Sequence, residues 1–418
     1  MGGENIMKYQ DAKINSGGNP SSGPDSPRKI AFQFILLMGV VSLFGDITYE
    51  GVRSIAGPFL SGLGASAAVV GLVAGIGEFI GYALRLASGY FSDRTKAYWP
   101  ITIIGYGLLC SIPFLAFTGY WQVAALLIIL ERIGKGIRTP ARDAILSHAT
   151  KQVGRGLGFG IHEAMDQIGA IIGPLIFSAV FFLKGGYRQG FIILWIPALL
   201  CVATLLIARI RVPSPVVLES PGRIEGKDNK EKVRLPRTFL FYGLFIFLSV
   251  AGFTSFQIIS YHFMVQGVVS GSQIPIFYAI AMGVDALVAL IIGKTYDKVG
   301  LVSLITIPLL TIPIPFLAFS QSFYLAIISA VLWGAVMGIH ETIMRAAIAD
   351  MIPIERRGFG YGIFNTIYGG AWFLGCTVMG LLYDFSIPYL IVFVVIMELI
   401  SLPLFFLVKN ESMKAMKD

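Results

Sequence analysis

Apolar blocks about as long as a bilayer is thick fill this sequence almost from end to end, separated by short turns rich in Gly, Pro and charge. A block of 18 or more apolar residues has few stable fates. As a helix, ~20 residues cross the ~30 Å hydrocarbon core with every backbone N–H and C=O paired internally. Composition agrees: 56% of residues are hydrophobic and 13% charged, with a mean hydropathy of +0.76, against ~25% charged in a soluble domain. The chain therefore reads as an all-α membrane protein. Its 418 residues have room for about twelve transmembrane helices of ~20–25 residues. No apolar run stands alone at the N-terminus, so a cleavable signal peptide is not expected. Charges left inside the apolar blocks become the informative residues, because each is costly there.

Spans are expected at about 32–60, 66–91, 98–118, 121–147, 157–183, 189–210, 238–265, 274–296, 300–320, 322–349, 358–383 and 387–408. Gly62, Gly64, Gly119, Gly185-Gly186, the Gly267 to Gly271 stretch and Pro388 mark turns between them. Residues 1–30 are polar and rich in Gly, Ser, Asn and Pro, the composition of a disordered tail. The longest later polar stretch, 212–237, divides the chain into an N-terminal bundle of six helices (31–211) and a C-terminal one (238–409), with a short tail at 410–418. The net charge of +8 is a matter of loops rather than of nucleic acid. Arg28, Lys29, Arg94, Lys96, Lys151, Arg155, the linker, Lys298, Arg356, Arg357, Lys409, Lys414 and Lys417 fall on one side, and only Lys184 and Arg188 on the other. The positive-inside rule places both termini and the linker in the cytoplasm of a multi-pass cell-membrane protein. Cys110, Cys201 and Cys376 are distant and odd in number, so neither a disulfide framework nor a metal cluster is expected.

The two halves echo one another. Gly89, Asp93 and Arg94 close the second span of the first half, and Gly293, Asp297 and Lys298 close the second span of the other. Arg155-Gly-Leu-Gly-Phe-Gly160 and Arg357-Gly-Phe-Gly-Tyr-Gly362 open the two fifth spans. Duplicated halves with a site at their interface are a transporter pattern.

On these motifs the chain resembles the major facilitator superfamily over nearly its whole length beyond the tail. That family carries a Gly-xxx-Asp-Arg/Lys loop between its second and third helices. Gly89, Asp93 and Arg94 match it, although Lys96 and Ala97 depart from its later positions; Gly293, Asp297, Lys298 and Gly300 form the second copy. The resemblance implies that both loops act as conformational latches. Arg132, followed by Lys135 and Gly136, is similar to the family's fourth-helix motif, whose arginine lies near the proton-carrying acid of proton-coupled members. Gly160, Gly169 and Gly173-Pro174 resemble the fifth-helix motif of drug/proton antiporters, although Phe177-Ser178 replace its last glycine pair. Small residues there allow close helix packing and proline a kink, with or without any bearing on direction.

Several charges are candidates for coupling or for the substrate path. Asp46, Tyr49, Glu50 and Arg53 share one face of the first span at i, i+3, i+4, i+7, as do Glu78, Tyr82 and Arg85 of the second. Glu131, Lys135, Arg138 and Arg142 share a face of the fourth, with Arg132 at its margin. Either this stripe attracts anions or couples protons, or it forms an ion-pair ladder to His162, Glu163 and Asp166 of the fifth span; the ladder is favoured for Arg138 and Arg142. A carboxylate that alternates between desolvated surroundings and a nearby arginine can load and release a proton. Asp46, Glu50 and Glu78 are the first choices. The competing reading is static pairing: Asp46 or Glu50 with Arg132, and Glu78 with Arg85. Asp285, alone in the eighth span, is either a proton site or a helix-facing polar residue. His340, Glu341 and Arg345 lie in the tenth span, the histidine read as a hydrogen-bonded structural group. Tyr49, Tyr82, Phe253, Tyr261, Tyr278, Trp333, Tyr368 and Trp372 could wall a cavity for an apolar or aromatic solute.

No phosphate-binding loop, nucleophile–base pair or metal-ligand spacing is present in the sequence. The expectation is thus a monomeric secondary transporter without cofactor or catalysis, moving a small organic solute by alternating access, with proton-coupled efflux preferred. An organic-anion carrier or uptake symporter, and a non-transporting receptor, are the alternatives.

Overall fold

The computed structural model describes residues 27–214, 236–352 and 357–415. The expected N-terminal tail up to residue 26, most of the linker, Arg356 and the last three residues lie outside the described residues. Helices in chain order are α1 (Pro27–Gly62), α2 (Ala67–Thr95), α3 (Tyr98–Gly107, continued by two 3-10 turns to Phe117), α4 (Trp121–Val153) and α5 (Arg155–Phe182). There follow α6 in two pieces (Tyr187–Ile193, Trp195–Arg211) and α7 in two (Arg237–Gly252, Phe256–Val265). Then come α8 (Ile274–Val299), α9 (a 3-10 turn from Gly300, then Thr306–Thr311 and Pro313–Ala318), α10 (Phe323–Met351), α11 (Arg357–Phe385) and α12 (Ile387–Ala415). No strand occurs among the described residues.

Ten stretches among the described residues are long and apolar enough to cross a membrane. The count differs from the expected twelve at two places, each for a physical reason. α4 carries Glu131, Arg132, Lys135 and Arg138 in its middle and is absent from the ten apolar stretches. α8 and α9 form one continuous apolar stretch of 45 residues, Ile274–Ala318. At 1.5 Å per residue that would be ~67 Å of helix, about twice the hydrocarbon thickness. The chain turns instead at Gly300, whose φ of +58° suits a residue without Cβ.

The helix pairing repeats between halves. In the first half α1 packs on α5 and α6, and α4 on α2 and α3; in the second α7 packs on α11 and α12, and α10 on α8 and α9. Across the halves α2 meets α11, α5 meets α8, and α1 meets α7. This exchange of equivalent pairs is what a pseudo-two-fold axis between two six-helix bundles produces. The C-terminal bundle has one large core, from Phe239 through Trp333 to Val408. The N-terminal core is divided in two, around Phe34, Trp99 and Ile145 near the end carrying the termini, and around Phe59, Phe177 and Phe191 at the far end.

The far end is closed. The Asp384 carboxylate of α11 accepts from the Ala67 and Ala68 backbone N–H groups at 3.0 and 2.9 Å, capping α2 of the other bundle. Ser178 of α5 donates to the Ser272 carbonyl at 2.7 Å. An added Cβ on Gly57 would lie 2.9 Å from Tyr261 N on α7. Removing the cap by Asp384→Ala should loosen this end. The buried free thiol of Cys376, beside Gly71 on the same α2–α11 seam, is expected to react several-fold faster with a maleimide. An unchanged rate would show that the cap does not hold the end shut.

The fifth-helix glycines divide in role. A Cβ at Gly173 would lie 2.7 Å from Gly51 N, and one at Gly169 3.0 Å from the Asp46 Cβ, so both let α5 lie directly on α1. Pro174 sits inside α5 beside that contact. Gly160 has open space around it, which corrects its expected packing role; Gly158, 3.1 Å by the same measure from the Thr150 Cβ, does that packing instead. Gly173→Ala should cost about 1–3 kcal/mol through overpacking, whereas Gly160→Ala should be neutral or stabilise by up to ~1 kcal/mol. Thermal unfolding in detergent compares the two directly.

Candidate functional site

Between the bundles lies a cavity of about 170 Å³ bounded by α1, α2, α3, α4, α5, α8, α10 and α11. Asp46, Tyr49, Glu50, Glu78, Arg85, Arg132, Lys135, Glu163, Asp166 and Asp285, expected as coupling or path residues, all line it. Glu131 does not; it stands one layer behind, 1% exposed, and holds Arg138 (3.3 Å) and Arg132 (3.8 Å) in place.

The centre of the wall is a chain of buried ion pairs. Glu78 of α2 pairs with Arg132 of α4 at 3.1 Å and with Arg53 of α1 at 3.4 Å. Arg53 also reaches Glu50, one turn earlier, at 3.6 Å. Arg132 donates to the Tyr49 hydroxyl, and its guanidinium lies 4.2 Å from the centre of that ring. Tyr278 of α8 donates to Glu50 at 2.5 Å, so the chain crosses from one bundle to the other. Buried charges in a membrane normally pair in this way.

The pairing differs from the expected one in three respects. Arg132 takes Glu78 rather than Asp46 or Glu50, and Glu78 takes Arg132 and Arg53 rather than Arg85. Arg85 turns onto the Tyr82 ring, 4.4 Å away. The ladder from α4 to α5 is replaced by pairing within each helix. Arg138 goes to Glu131 and stacks on Tyr106 of α3 at 4.7 Å. Arg142 goes to Asp143 at 2.9 Å, and His162 to Asp166 at 3.3 Å. Ser42 of α1 joins the two helices, accepting from Arg142 at 3.3 Å and bonding His162 at 3.1 Å. Each exchange has one cause: three helices meet at a height that spacing along a single helix does not encode.

Other cavity groups form no ion pair among the described residues. Lys135 rests 3.8 Å from the centre of the Tyr49 ring. Asp285 is 2% exposed, and its Oδ1 has no hydrogen-bond partner. Glu341 and Arg345 line the same wall from α10. His340, one residue before Glu341, is buried with Nδ1 3.4 Å from the Tyr368 hydroxyl, as a structural histidine would be.

The aromatic expectation is corrected. Tyr49, Tyr82 and Trp372 line the cavity beside many charges. Phe253, Tyr278, Trp333 and Tyr368 pack within the C-terminal core, and Tyr261 meets Tyr383 edge-to-face at the far end. α7 is interrupted at Phe253–Ser255, where the Trp333 indole N–H donates to the Thr254 carbonyl at 2.8 Å.

Sequence reading placed Arg53 on the face of the first span with Glu50 but did not anticipate that it would reach Glu78 of α2. It passed over Glu398 of α12, fully buried with Ser401 at 3.5 Å and beside Gly252 of α7. A lone acid in an apolar block was the signal for Glu398. It lies outside the cavity.

At the end carrying the termini a groove of about 510 Å³ runs between α2, α4, α10 and α11, lined by Gly89, Asp93, Asp143 and Arg345 among others. Asp93 and Asp297 of the two repeated Gly-xxx-Asp motifs, in the last turns of α2 and α8, are exposed and form no ion pair among the described residues. Arg94 bonds Tyr90 on its own helix at 3.1 Å, and Lys298 and Gly293 lie at the end of α8. The cavity is therefore approached from this end and sealed at the other.

Two pseudo-symmetric bundles with a charged cavity between them, open at one end, define a secondary transporter. A sequence profile of the Major Facilitator Superfamily matches residues 35–375 and 268–417, and the chain belongs to that family. It is 39% identical over 390 residues to the uncharacterized protein Rv2265 of Mycobacterium tuberculosis, covering 93% of this chain and 95% of that one. It is 28% identical over 369 residues to the uncharacterized MFS-type transporter MJ1317 of Methanocaldococcus jannaschii, covering 84% and 89%. Its fold is similar to that of the nucleoside transporter NupG, with a TM-score of 0.69 at 15% identity over 90% of this chain and 98% of that one.

Glu78 satisfies two buried guanidinium groups at once. Glu78→Gln should cost about 3–5 kcal/mol, the usual loss when a buried charge is left uncompensated. Glu163→Gln, at an exposed position, should stay within about 0.5 kcal/mol. Equal unfolding temperatures for the two variants would show that the network is not structural.

Proposed function

We propose that the chain is a proton-coupled secondary transporter that exports a small organic solute, acting as a monomer in the cell membrane with both termini in the cytoplasm. On this reading the open end faces inward, and the structure corresponds to an inward-open state. The observation that carries the proposal is the set of cavity carboxylates left without ion pairs among the described residues, Asp285 and Asp46 above all, at the interface between the bundles. A carboxylate's proton affinity rises when it is desolvated and falls beside a cation. Rocking of two bundles about this cavity would alternate those surroundings and tie proton loading to solute release. The basic loops support the orientation. The α1–α5 contact at Gly169, Gly173 and Pro174 supports export through its likeness to the antiporter motif. Asp93 and Asp297, free of ion pairs at the open end, fit latches that re-form when that end closes.

The test is proton movement in proteoliposomes under an imposed pH gradient with pooled organic solutes. The parent is expected to show solute-dependent proton flux. Asp46→Asn and Asp285→Asn should reduce it at least ten-fold, and Arg132→Ala should abolish solute flux as well. Solute flux without proton movement, equal in parent and Asp285→Asn, would reject coupling.

A further inference from the structure

The seam between α2 and α11 changes character along its length. From the far end to its middle the two helices touch closely. A Cβ added to Gly71 would stand 3.1 Å from the Gly380 Cα, one on Gly75 3.0 Å from the Phe373 Cα, and one on Gly369 2.9 Å from the Tyr82 Cβ. Past Tyr82 the contact loosens. The nearest group across the seam to a Cβ on Gly362 is the tip of the Leu86 side chain, at 2.8 Å, rather than backbone. There a crevice of about 190 Å³ lies between the helices, lined by Leu86, Gly362, Ile363, Thr366 and Ile367. Leu86 is 54% exposed and Thr366 is exposed too, so the crevice opens outward. Its lining is apolar, because the Thr366 hydroxyl donates to the Gly362 carbonyl of its own helix at 3.0 Å. Leu86 and Gly362 also line the groove of about 510 Å³ at the open end. Arg85, Thr139, Asp143 and Arg345 line both that groove and the central cavity. An apolar slot on the flank of two membrane-crossing helices is thus continuous with a charged cavity. Arg94 marks the membrane surface, and Leu86 stands about 12 Å further along the same helix, at hydrocarbon depth.

Resting on the reading of the central cavity as the transport site, we infer that the solute is an amphiphile with an alkyl chain, which enters sideways from the leaflet at the open end. Its chain lies in the crevice between Leu86 and Ile363, and its polar head reaches the groove and the cavity. An alkyl chain that leaves hydrocarbon for water loses roughly a factor of four in partitioning per methylene. The crevice removes that step, since the chain passes from lipid to protein without meeting water. A solute without a chain gains nothing from an apolar slot. The crevice volume lies below the ~300–1,000 Å³ of pockets that hold a whole drug-sized ligand, so it suits one part of a molecule whose remainder lies in the groove. The groove carries both signs, Arg85 and Arg345 beside Asp93 and Asp143. The crevice therefore selects for the chain and leaves the charge of the head to the cavity. Leu86 is the movable part, because a side chain and not backbone faces Gly362 there.

The experiment uses the full-length protein in proteoliposomes with decyl and butyl probes that carry a permanently charged head, trimethylammonium or sulfonate. A decyl probe with a diazirine at its chain end is photolysed, and its adducts are mapped by mass spectrometry. In at least one head series, adducts at Leu86, Ile363 and Ile367 are expected to fall at least five-fold under excess unlabelled decyl probe and less than two-fold under the butyl probe. Adducts at Leu290 of α8, 69% exposed and outside the crevice, should fall less than two-fold under either. Leu86→Trp fills the slot and should lower the ratio of decyl to butyl flux at least ten-fold, with Thr366→Trp as a second variant should the first unfold. Leu290→Trp should keep the parent ratio. Crevice adducts that compete no better than those at Leu290 in both head series overturn the inference. So does a parent flux ratio kept by both crevice variants, which would make the crevice the seat of an ordinary membrane lipid. Competed crevice labelling and a lowered flux ratio without proton movement would reject proton coupling and leave the inference standing. Proton flux driven by a butyl probe, with no competition at the crevice, would do the reverse.

Discussion

The Glu78 carboxylate, shared by Arg132 and Arg53, is the contact on which the rest of the N-terminal bundle depends. In hydrocarbon an unpaired guanidinium is costly, so α1, α2 and α4 must converge at one height for three charges to meet. Glycines make that convergence possible. A Cβ on Gly77 would lie 3.0 Å from the Arg132 side chain, and one on Gly136 2.8 Å from the Gly81 carbonyl. The charged layer also explains why the N-terminal core is split. Apolar side chains gather above and below α4's polar middle, around Phe59 on one side and Phe34 on the other.

The C-terminal bundle is built differently. Trp333, Phe253, Phe256 and Tyr278 pack ring against ring in one continuous core. Among the described residues its cavity wall offers Asp285, Glu341 and Arg345 as charged groups. One bundle is thus stiffened by ion pairs and the other by aromatic packing, and the cavity takes its polarity mostly from the first. The Tyr278–Glu50 hydrogen bond joins the two where the wall changes character. The far end is fastened by Asp384 and by the α1–α7 contact at Gly57, whereas a groove separates the bundles at the end carrying the termini.

Much of the site was legible because charge in a membrane helix is rare. Ten of the eleven polar residues singled out on that ground line one cavity, and the eleventh, Glu131, supports it from behind. Their partners were not legible. Spacing along α2 suggested Arg85 for Glu78, yet Arg132 and Arg53 arrive from other helices. Spacing between α4 and α5 suggested a ladder, yet Ser42 of α1 lies between them. Gly160 matched a motif by position but faces open space, and the expected aromatic walls are mostly core. Periodicity says which residues share a face of a helix; it is silent on what stands opposite.

Sequence alone determined the class of architecture, because hydrocarbon leaves a long apolar block no choice but to be helical and because the two halves repeat their motifs. It also determined which residues would be chemically important, since each retained charge must be compensated within the bundle. Tertiary structure alone decided which charges are consumed in pairing and which are not, and at which end the cavity opens. Those outcomes depend on the relative height and rotation of helices from distant parts of the chain. They are set by side-chain packing such as that of Gly51 on Gly173 and Gly136 on Gly81, and a linear pattern carries no direct record of it.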